Sequence, residues 1–320
     1  MKNKKCNNPR HVILVTGANG FVGYSLCKAL YDYGHQVRSA VRKNDSVIAP
    51  NTIRVTVGEI SDQTDWTEAL NGIDTVIHLA AHVHILKNKV GNSLEEFRRV
   101  NTAGTLNLAN CAAARGIKRL IFISSIKVNG EETHGGKKFS ETDTPAPLNA
   151  YSRSKLEAEH GLRKIANKTG LEVVIIRPPL IYGPGVKANF AILLRWLRYG
   201  LPLPFGSINN QRSLVSLENL IDFLVTCLDH PAAANETFLV SDDTDISTTE
   251  LLYRLGYVLG SPVHLVSVPA TWLKVAAFIL HKQDLLRRLC GSLQVDISKA
   301  RTLLNWRPPI SLDEGLRRIV

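Results

Sequence analysis

The chain has 320 residues, of which 44% are hydrophobic and 21% are charged, a composition typical of a globular protein with one large α/β domain and a smaller lobe. Its formal net charge is +11, but the basic residues are scattered and not interleaved with aromatic ones, so we expect no nucleic-acid partner. No apolar run is long enough to span a bilayer. The nearest, residues 263–280, is interrupted by Pro269 and Lys274, which predicts no stable membrane insertion. Five dispersed cysteines without a Cys-x-x-Cys motif indicate a reduced, cytoplasmic protein.

The first predicted unit, residues 11–34, is a buried strand, a glycine-rich turn and an amphipathic helix. Gly17 permits a tight turn, Gly20 lets the backbone approach a pyrophosphate, and Gly23 lets the helix pack on the strand. The helix N-terminus offers free N–H groups and a partial positive charge to phosphates. This arrangement predicts dinucleotide binding, with a purely structural turn as the alternative.

The second predicted strand, residues 36–42, bears on the choice of dinucleotide. In many NAD-binding units an acidic residue about 20 positions past the glycine motif binds the ribose hydroxyls. Here Arg42 and Lys43 occupy that region, and no acid follows until Asp45. Cations at this position suit the extra phosphate of NADP, although a solvated strand end is the alternative. The sequence therefore favours NADP(H) and leaves NAD(H) open.

Further strands are predicted at residues 53–57, 74–81 and 119–125, with helices between them. The first of these helices would begin at a cap provided by Thr64 or Asp65, and a long one would run from 93 to about 115. Alternating strands and helices predict a doubly wound, Rossmann-type parallel sheet.

Metal binding is not expected at the end of the strand that covers residues 74–81. His82 and His84 are two residues apart, but the sequence places no third ligand near them. We therefore predict that the protein holds no metal ion.

A tyrosine and a lysine, Tyr151 and Lys155, are four residues apart on a predicted helix and share one of its faces. A phenol titrates near 10, too high for proton transfer at neutral pH, and a nearby ammonium would lower that pKa. Ser124 and Ser125 follow a strand, at the sheet edge where open α/β sheets bind ligands. Tyrosine–lysine pairs also occur on solvated helix faces, so the serines and the glycine turn carry much of the argument.

In their order and spacing these motifs resemble the extended short-chain dehydrogenase/reductase family, the NAD-dependent epimerases, dehydratases and reductases of nucleotide sugars. The resemblance covers essentially the whole chain. The matching segments are Thr16-Gly-Ala-Asn-Gly-Phe-Val-Gly23, Gly58-Glu-Ile60, His78-Leu-Ala-Ala81, Asn101-Thr-Ala-Gly-Thr105, Ser124-Ser125, Tyr151-Ser-Arg-Ser-Lys155 and Arg177-Pro-Pro-Leu-Ile-Tyr-Gly-Pro184.

The resemblance implies roles for three catalytic residues. Tyr151 would be the acid/base, and Lys155 would bind the nicotinamide ribose and tune Tyr151. Ser125 would hydrogen-bond the reacting oxygen, and it is preferred over Ser124 because it lies five residues before Gly130, the spacing of the family. The cofactor would also contact the glycine turn, the adenine-flanking pair and the end of the fourth strand. These residues are Gly17, Asn19, Gly20, Phe21, Val22, Gly23, Arg42, Lys43, Glu59, Ile60, Leu79, Ala80, Ala81 and Asn101.

The substrate would lie in a smaller α/β lobe. By the resemblance, residues 1–178 and 208–243 form the dinucleotide-binding domain, whereas 179–207 and 244–320 form the substrate-binding lobe. Arg212 would bind the nucleotide diphosphate, since a guanidinium matches phosphate oxygens. The other candidate substrate contacts are Ser125, Lys127, Asn189 and Arg288.

Two enzymatic functions and one non-enzymatic function follow from the resemblance. The first is reduction by NADPH of the C4 ketone of a UDP-4-keto-6-deoxy-N-acetylhexosamine in O-antigen synthesis. The second is C4 epimerisation of a UDP-hexose or UDP-N-acetylhexosamine with a retained NAD, and a remote third is a cofactor-binding regulator without turnover. The family usually reads Val-Tyr-Gly where this chain has Val128-Asn-Gly130, and this leaves the sugar open. The resemblance also implies a homodimer joined through the helices after the fourth and fifth strands.

Overall fold

A computed structural model describes residues 11–83, 93–186 and 188–319. Its ten strands, numbered over these residues, are β1 (Val12–Thr16), β2 (Gln36–Val41), β3 (Ile53–Thr56), β4 (Thr75–His78), β5 (Arg119–Ile123), β6 (Glu172–Arg177), β7 (Leu180–Tyr182), β8 (Arg212–Ser216), β9 (Thr237–Leu239) and β10 (Asp245–Ile246). The α-helices are α1 (Phe21–Asp32), α2 (Ser93–Phe97), α3 (Thr105–Ala114), α4 (Ala150–Thr169), α5 (Ala188–Arg198), α6 (Leu217–Asp229), α7 (Thr248–Leu259), α8 (Ala270–Ile279), α9 (Gln283–Cys290), α10 (Ser298–Leu304) and α11 (Leu312–Arg317).

Seven strands form one parallel sheet in the order β3-β2-β1-β4-β5-β6-β9. The central strands are buried on both faces, which explains their nearly continuous apolar sequences. Two hydrophobic clusters cover the two faces, one containing residues of α1 and α6 and the other residues of α3 and α4. The predicted doubly wound α/β fold is confirmed. The strand order reverses between β1 and β4, so the ligand crevice is expected at their carboxyl ends.

Some local predictions differ from the structure. No regular helix lies between β3 and β4, where the chain forms turns around the buried side chain of Trp66. The long helix predicted over 93–115 is divided, because a π-helical segment (Arg98–Gly104) separates α2 from α3.

A second, three-stranded sheet has the order β10-β8-β7 and packs with α5, α7, α8 and α11 around a separate hydrophobic cluster. Within the segment 208–243, α6 contacts α1 and β5, and β9 pairs with β6 in the large sheet. Strand β8 instead pairs with β7 and β10 in the small sheet. The segment thus connects the two sheets.

A buried ion pair joins α4 to the ends of β5 and β6. Arg177 donates two hydrogen bonds to Glu159, from Nε to Oε1 at 2.9 Å and from Nη2 to Oε2 at 2.5 Å, and both side chains are at most 3% exposed. Ser124 donates from Oγ to Glu159 Oε1 at 2.5 Å, and Arg177 Nη1 donates to Asn129 Oδ1 at 2.9 Å. Every member of this network has a partner, as a charged group in a core requires.

We predict that Glu159→Gln lowers the free energy of unfolding by about 3–5 kcal/mol, because it leaves the Arg177 charge buried without a counter-charge. Urea denaturation measures this loss. The matched control is Glu157→Gln on the same helix, which breaks an exposed ion pair with Arg98 and should change stability only slightly. Equal losses of unfolding free energy in the two variants would contradict the assignment of Glu159 as the buried counter-charge of Arg177.

Candidate active site

The glycine turn lies at the carboxyl end of β1 and packs closely on the end of β4. Gly17 has φ +66°, and a Cβ atom there would lie 2.9 Å from the backbone N of Ala80. A Cβ atom on Gly23 would lie 2.1 Å from the carbonyl oxygen of Gly17, so α1 packs directly on the turn. The helix begins after Gly20 without a side-chain cap, which leaves its first turn open to an anion. The turn therefore fits the pyrophosphate of a dinucleotide.

A row of buried hydrogen bonds lies beneath the crevice. His78 at the end of β4 shares hydrogen bonds with Thr16 Oγ1 (Nδ1, 2.7 Å) and with Thr105 Oγ1 (Nε2, 2.9 Å). Burial, and secondly the charge of Lys155, lower the pKa of His78 to about 3, so the ring is neutral. This row of hydrogen bonds thereby connects β1, β4 and α3 without placing a charge in the core.

Asn101, predicted as a cofactor contact, is fully buried in the π-helical segment. Its side-chain oxygen accepts from His82 N at 2.7 Å, and its amide nitrogen donates to His82 O and to Ser154 Oγ. Both amide hydrogens are thus used within the protein. Asn101 holds the segment after β4 against α4, the helix that carries the tyrosine and the lysine.

The two serines after β5 have different surroundings. Ser124 is 2% exposed, and its hydroxyl is committed to Glu159. Ser125 is only half-buried and caps the short 3₁₀ turn that follows, where its Oγ accepts from Lys127 N at 3.3 Å. The hydroxyl hydrogen of Ser125 can therefore be donated to a ligand oxygen, whereas that of Ser124 is already donated to Glu159.

Tyr151 and Lys155 lie on the first turns of α4, which begins at a capping box. Asn149 Oδ1 accepts from Ser152 N at 2.9 Å, and Ser152 Oγ accepts from Asn149 N at 3.2 Å. The half-buried Tyr151 ring packs edge-on against Phe97, with 6.2 Å between centroids. The capping box sets where the helix begins and hence where both side chains lie.

Burial moves the pKa values of these two groups in opposite directions. It raises the pKa of the Tyr151 phenol to about 12 and lowers the pKa of the Lys155 ammonium to about 7. Lys155 is 1% exposed and donates from Nζ to Ile123 O at 2.8 Å, 4.4 Å above the centroid of the Phe122 ring. Burial is thus what raises the pKa of Tyr151 here, and the expectation that Lys155 together with a bound nicotinamide lowers it stays a prediction.

The predicted adenosine contacts lie along one edge of the crevice. Arg42 and Lys43 are exposed directly after β2. Glu59 is exposed and forms an ion pair with Arg99 at 3.3 Å. Ile60 is half-buried and packs so closely on Gly104 that a Cβ atom on that glycine would clash with it. Of the other predicted cofactor contacts, Asn19 lies in the glycine turn, and Phe21 and Val22 begin α1. Leu79 and Ala81 follow the end of β4.

Two of the predicted substrate contacts are bonded to other parts of the protein. Lys127 pairs with Glu131 at 3.2 Å, and Glu131 Oε1 also accepts from Asn149 Nδ2, at 2.5 Å. Arg212 is half-buried and donates from Nη1 to the carbonyl oxygen of Gly291 at 2.8 Å.

The remaining candidate substrate contacts lie in two different helices. Arg288 is exposed on α9. Asn189 lies in α5, but its side chain is outside the described residues, as is His84 of the histidine pair. Over residues 11–83, 93–186 and 188–319, no group of three or more metal-ligating side chains was found.

Sequence reasoning missed the residues that hold the catalytic candidates in place. Glu159 lies four residues after Lys155 on the same helix face, and this spacing could have indicated a partner for Arg177 or Ser124. Glu131 could not have been found in this way, because its contact with Asn149 depends on the path of the loop between them.

Comparisons with known proteins agree with this geometry. The sequence model of the NAD dependent epimerase/dehydratase family matches residues 13–241. A protein of Vibrio cholerae named UDP-glucose 4-epimerase is 47% identical over 312 residues, which cover 96% of this chain and 93% of the relative. A 4-epimerase of N-acetyl-α-D-glucosaminyl-diphospho-ditrans,octacis-undecaprenol from Escherichia coli O157:H7 is 28% identical over 96% of this chain and 93% of its own.

A solved structure shares the fold. The UDP-glucuronic acid 4-epimerase of Bacillus cereus, crystallised in complex with NAD, superposes with a TM-score of 0.77 at 23% identity, over 96% of this chain and 97% of its own. The resemblance to extended short-chain dehydrogenases/reductases is thus confirmed. The chain belongs to the NAD dependent epimerase/dehydratase family.

Proposed function

We propose that the protein is a UDP-sugar 4-epimerase, which inverts the C4 hydroxyl of a UDP-hexose or UDP-N-acetylhexosamine. The observation that carries this proposal is the 47% identity, over nearly the full length of both chains, with the Vibrio cholerae protein named UDP-glucose 4-epimerase. The chain has all three catalytic candidates. Ser125 follows the carboxyl end of β5, and Tyr151 and Lys155 lie in the first turns of α4. This complete set argues against a regulator without turnover.

The crevice fits a nicotinamide dinucleotide, since glycines line the turn at β1 and the α1 N-terminus is uncapped. When bound, the dinucleotide supplies hydride transfer at the C4 carbon of the sugar. Ser125 Oγ donates to the C4 oxygen and keeps it in line with Tyr151. The Tyr151 hydroxyl exchanges a proton with that oxygen, and Lys155 is placed one helical turn away to hold a ribose hydroxyl and to offer positive charge.

The substrate would extend from Tyr151 towards the small sheet. Arg212 is the proposed contact to the diphosphate, and Lys127, Asn189 and Arg288 are further contacts. The bond from Arg212 to Gly291 would hold the guanidinium in place while leaving its other N–H groups for phosphate oxygens. The same proposal includes the domain boundaries predicted above, a homodimer joined through α3 and α4, and a cytoplasmic location.

A second candidate function, reduction of a UDP-4-keto-6-deoxy-N-acetylhexosamine in O-antigen synthesis, is favoured by one observation. Arg42 and Lys43 are exposed together at the end of β2, where they suit the phosphate of NADPH. On this observation we propose that NADP(H) is preferred, with NAD(H), the dinucleotide that a 4-epimerase would retain, as the alternative.

The two functions predict different assays. An epimerase should interconvert UDP-glucose and UDP-galactose, or UDP-GlcNAc and UDP-GalNAc, without added dinucleotide, as followed by chromatography of the nucleotide sugars. If these sugars are unchanged, but NADPH absorbance falls in proportion to added UDP-4-keto-6-deoxy-N-acetylglucosamine, the epimerase proposal is wrong and the reductase is right.

Tyr151→Phe should reduce kcat by about 10²–10⁴-fold with little change in sugar binding, because the phenol transfers the proton and its ring remains. Ser125→Ala should also reduce kcat. The matched control is Ser124→Ala, which should act through stability because its hydroxyl bonds Glu159. If Tyr151→Phe, compared at the same concentration of folded protein, turns over as fast as the wild type, then Tyr151 has no part in the mechanism.

Arg42→Ala should weaken NADPH binding about tenfold or more and NADH binding much less, because only the former carries a phosphate for the guanidinium. Titration of the nucleotide-free protein by calorimetry measures both affinities. Lys118→Ala removes an exposed cation just before β5, at the opposite edge of the sheet, and serves as the control. Equal losses for the two dinucleotides in Arg42→Ala would count against NADP(H).

A further inference from the structure

Helix α8 is apolar on its outward face as well as on its buried one. Leu273 and Ala277, four residues apart, are buried in the hydrophobic cluster of the small sheet. The opposite face carries large apolar side chains at helical spacing, which are Trp272 (69% exposed), Val275 (56%), Phe278 (70%) and Ile279 (68%). Leu280, which follows the helix, is 65% exposed.

A helix that is apolar all round is normally buried on all sides. Isolated exposed apolar residues need no explanation, but a contiguous patch of an indole, a phenyl ring and branched side chains indicates a contact surface. The patch defined by Trp272, Val275, Phe278 and Ile279 is hereafter called the α8 patch.

Two lysines lie beside the α8 patch. Lys274 is exposed on the helix itself, and Lys282 is exposed shortly after it. Residues 263–290 contain four lysines and arginines but only one acid, Asp284. The surface therefore combines apolar side chains with positive charge, the combination that binds the interface of an anionic bilayer. Tryptophan in particular favours the level of the lipid headgroups.

We propose that the α8 patch and the two lysines beside it dock the protein peripherally on an anionic lipid bilayer. The contact is interfacial, because no helix within the described part of the chain is long and apolar enough to cross a membrane. The four apolar side chains would enter the headgroup region, while Lys274 and Lys282 would pair with lipid phosphates.

Charge favours lipid over a second copy of the chain as the occupant. A two-fold dimer through α8 would bring the same patch of each copy together. Helix α8 contains no acidic residue, so such an interface would bring together Lys274 and Lys282 of both copies without a counter-charge on the helix, which opposes association. An anionic surface has the complementary charge.

Docking would also place the proposed substrate site near the bilayer. Helix α9 packs against α8 and ends at Cys290. The next residue, Gly291, accepts the hydrogen bond from Arg212, the proposed diphosphate contact. The docking proposal stands on the α8 patch and does not depend on which reaction the site performs.

The test is co-sedimentation of the full-length protein, with its bound dinucleotide, on vesicles of phosphatidylcholine alone or of phosphatidylcholine with about one-third phosphatidylglycerol. The protein should sediment with the anionic vesicles, and binding should fall as salt rises from about 0.1 M to 0.5 M because the lysine charges are screened. The double variant Trp272→Ser/Phe278→Ser should bind at least about tenfold more weakly, because it removes the two aromatic rings that docking would bury in the headgroup region. Lys274→Glu/Lys282→Glu should weaken binding to anionic vesicles as well.

The matched control is Tyr253→Ser/Tyr257→Ser, which removes two exposed aromatic rings from α7 and should leave vesicle binding unchanged. Far-ultraviolet circular dichroism checks that each variant is folded. The proposal is overturned if the wild-type protein stays in the supernatant with anionic vesicles, or if the α8 double variant binds as tightly as wild type. It is also overturned if that variant converts a dimer into a monomer in gel filtration, because a second copy then covers the patch.

Discussion

The buried ion pair between Arg177 and Glu159 is the interaction on which the candidate site depends. It joins the last residue of β6 to the middle of α4, and Ser124 and Asn129 extend it to the chain after β5. The two catalytic candidates from different elements, Ser125 and Tyr151, thus take their relative position from charged groups in the core. Because a buried charge is stable only with its partner, the arrangement resists small displacements of α4. The capping box at Asn149 then sets the first turn of that helix.

The electrostatics of the site follow from the depth at which it lies. Burial alone would keep Tyr151 protonated and Lys155 poorly charged at neutral pH. Lys155 retains a hydrogen bond to Ile123 O and contact with the Phe122 ring, so its ammonium has partners before any ligand binds. Lys155 is thus held at the end of β5, one helical turn from Tyr151.

The sequence predicted the parts of the molecule that depend on local pattern. Apolar strands alternating with helices predicted the doubly wound sheet, and the glycine turn and the serines after β5 predicted a ligand at the carboxyl ends of its strands. The π-helical segment was not predictable, because its hydrogen-bond pattern depends on packing against α4 through Asn101 and Ser154. The Glu131–Asn149 contact likewise joins residues 18 apart through a loop without periodicity. The exposed face of α8 was visible as an apolar run, but only the structure shows which side faces outwards.

The central claim is that Ser125 and Tyr151 face one reacting oxygen of a nucleotide sugar in the crevice. The most direct measurement is a crystal structure of Tyr151→Phe with a UDP-hexose and a nicotinamide dinucleotide bound. The account predicts that the sugar C4 oxygen lies within hydrogen-bond distance of Ser125 Oγ and beside the ring of residue 151, with Lys155 Nζ at a ribose hydroxyl. A sugar bound away from both residues, with the dinucleotide elsewhere than at the glycine turn, would contradict it.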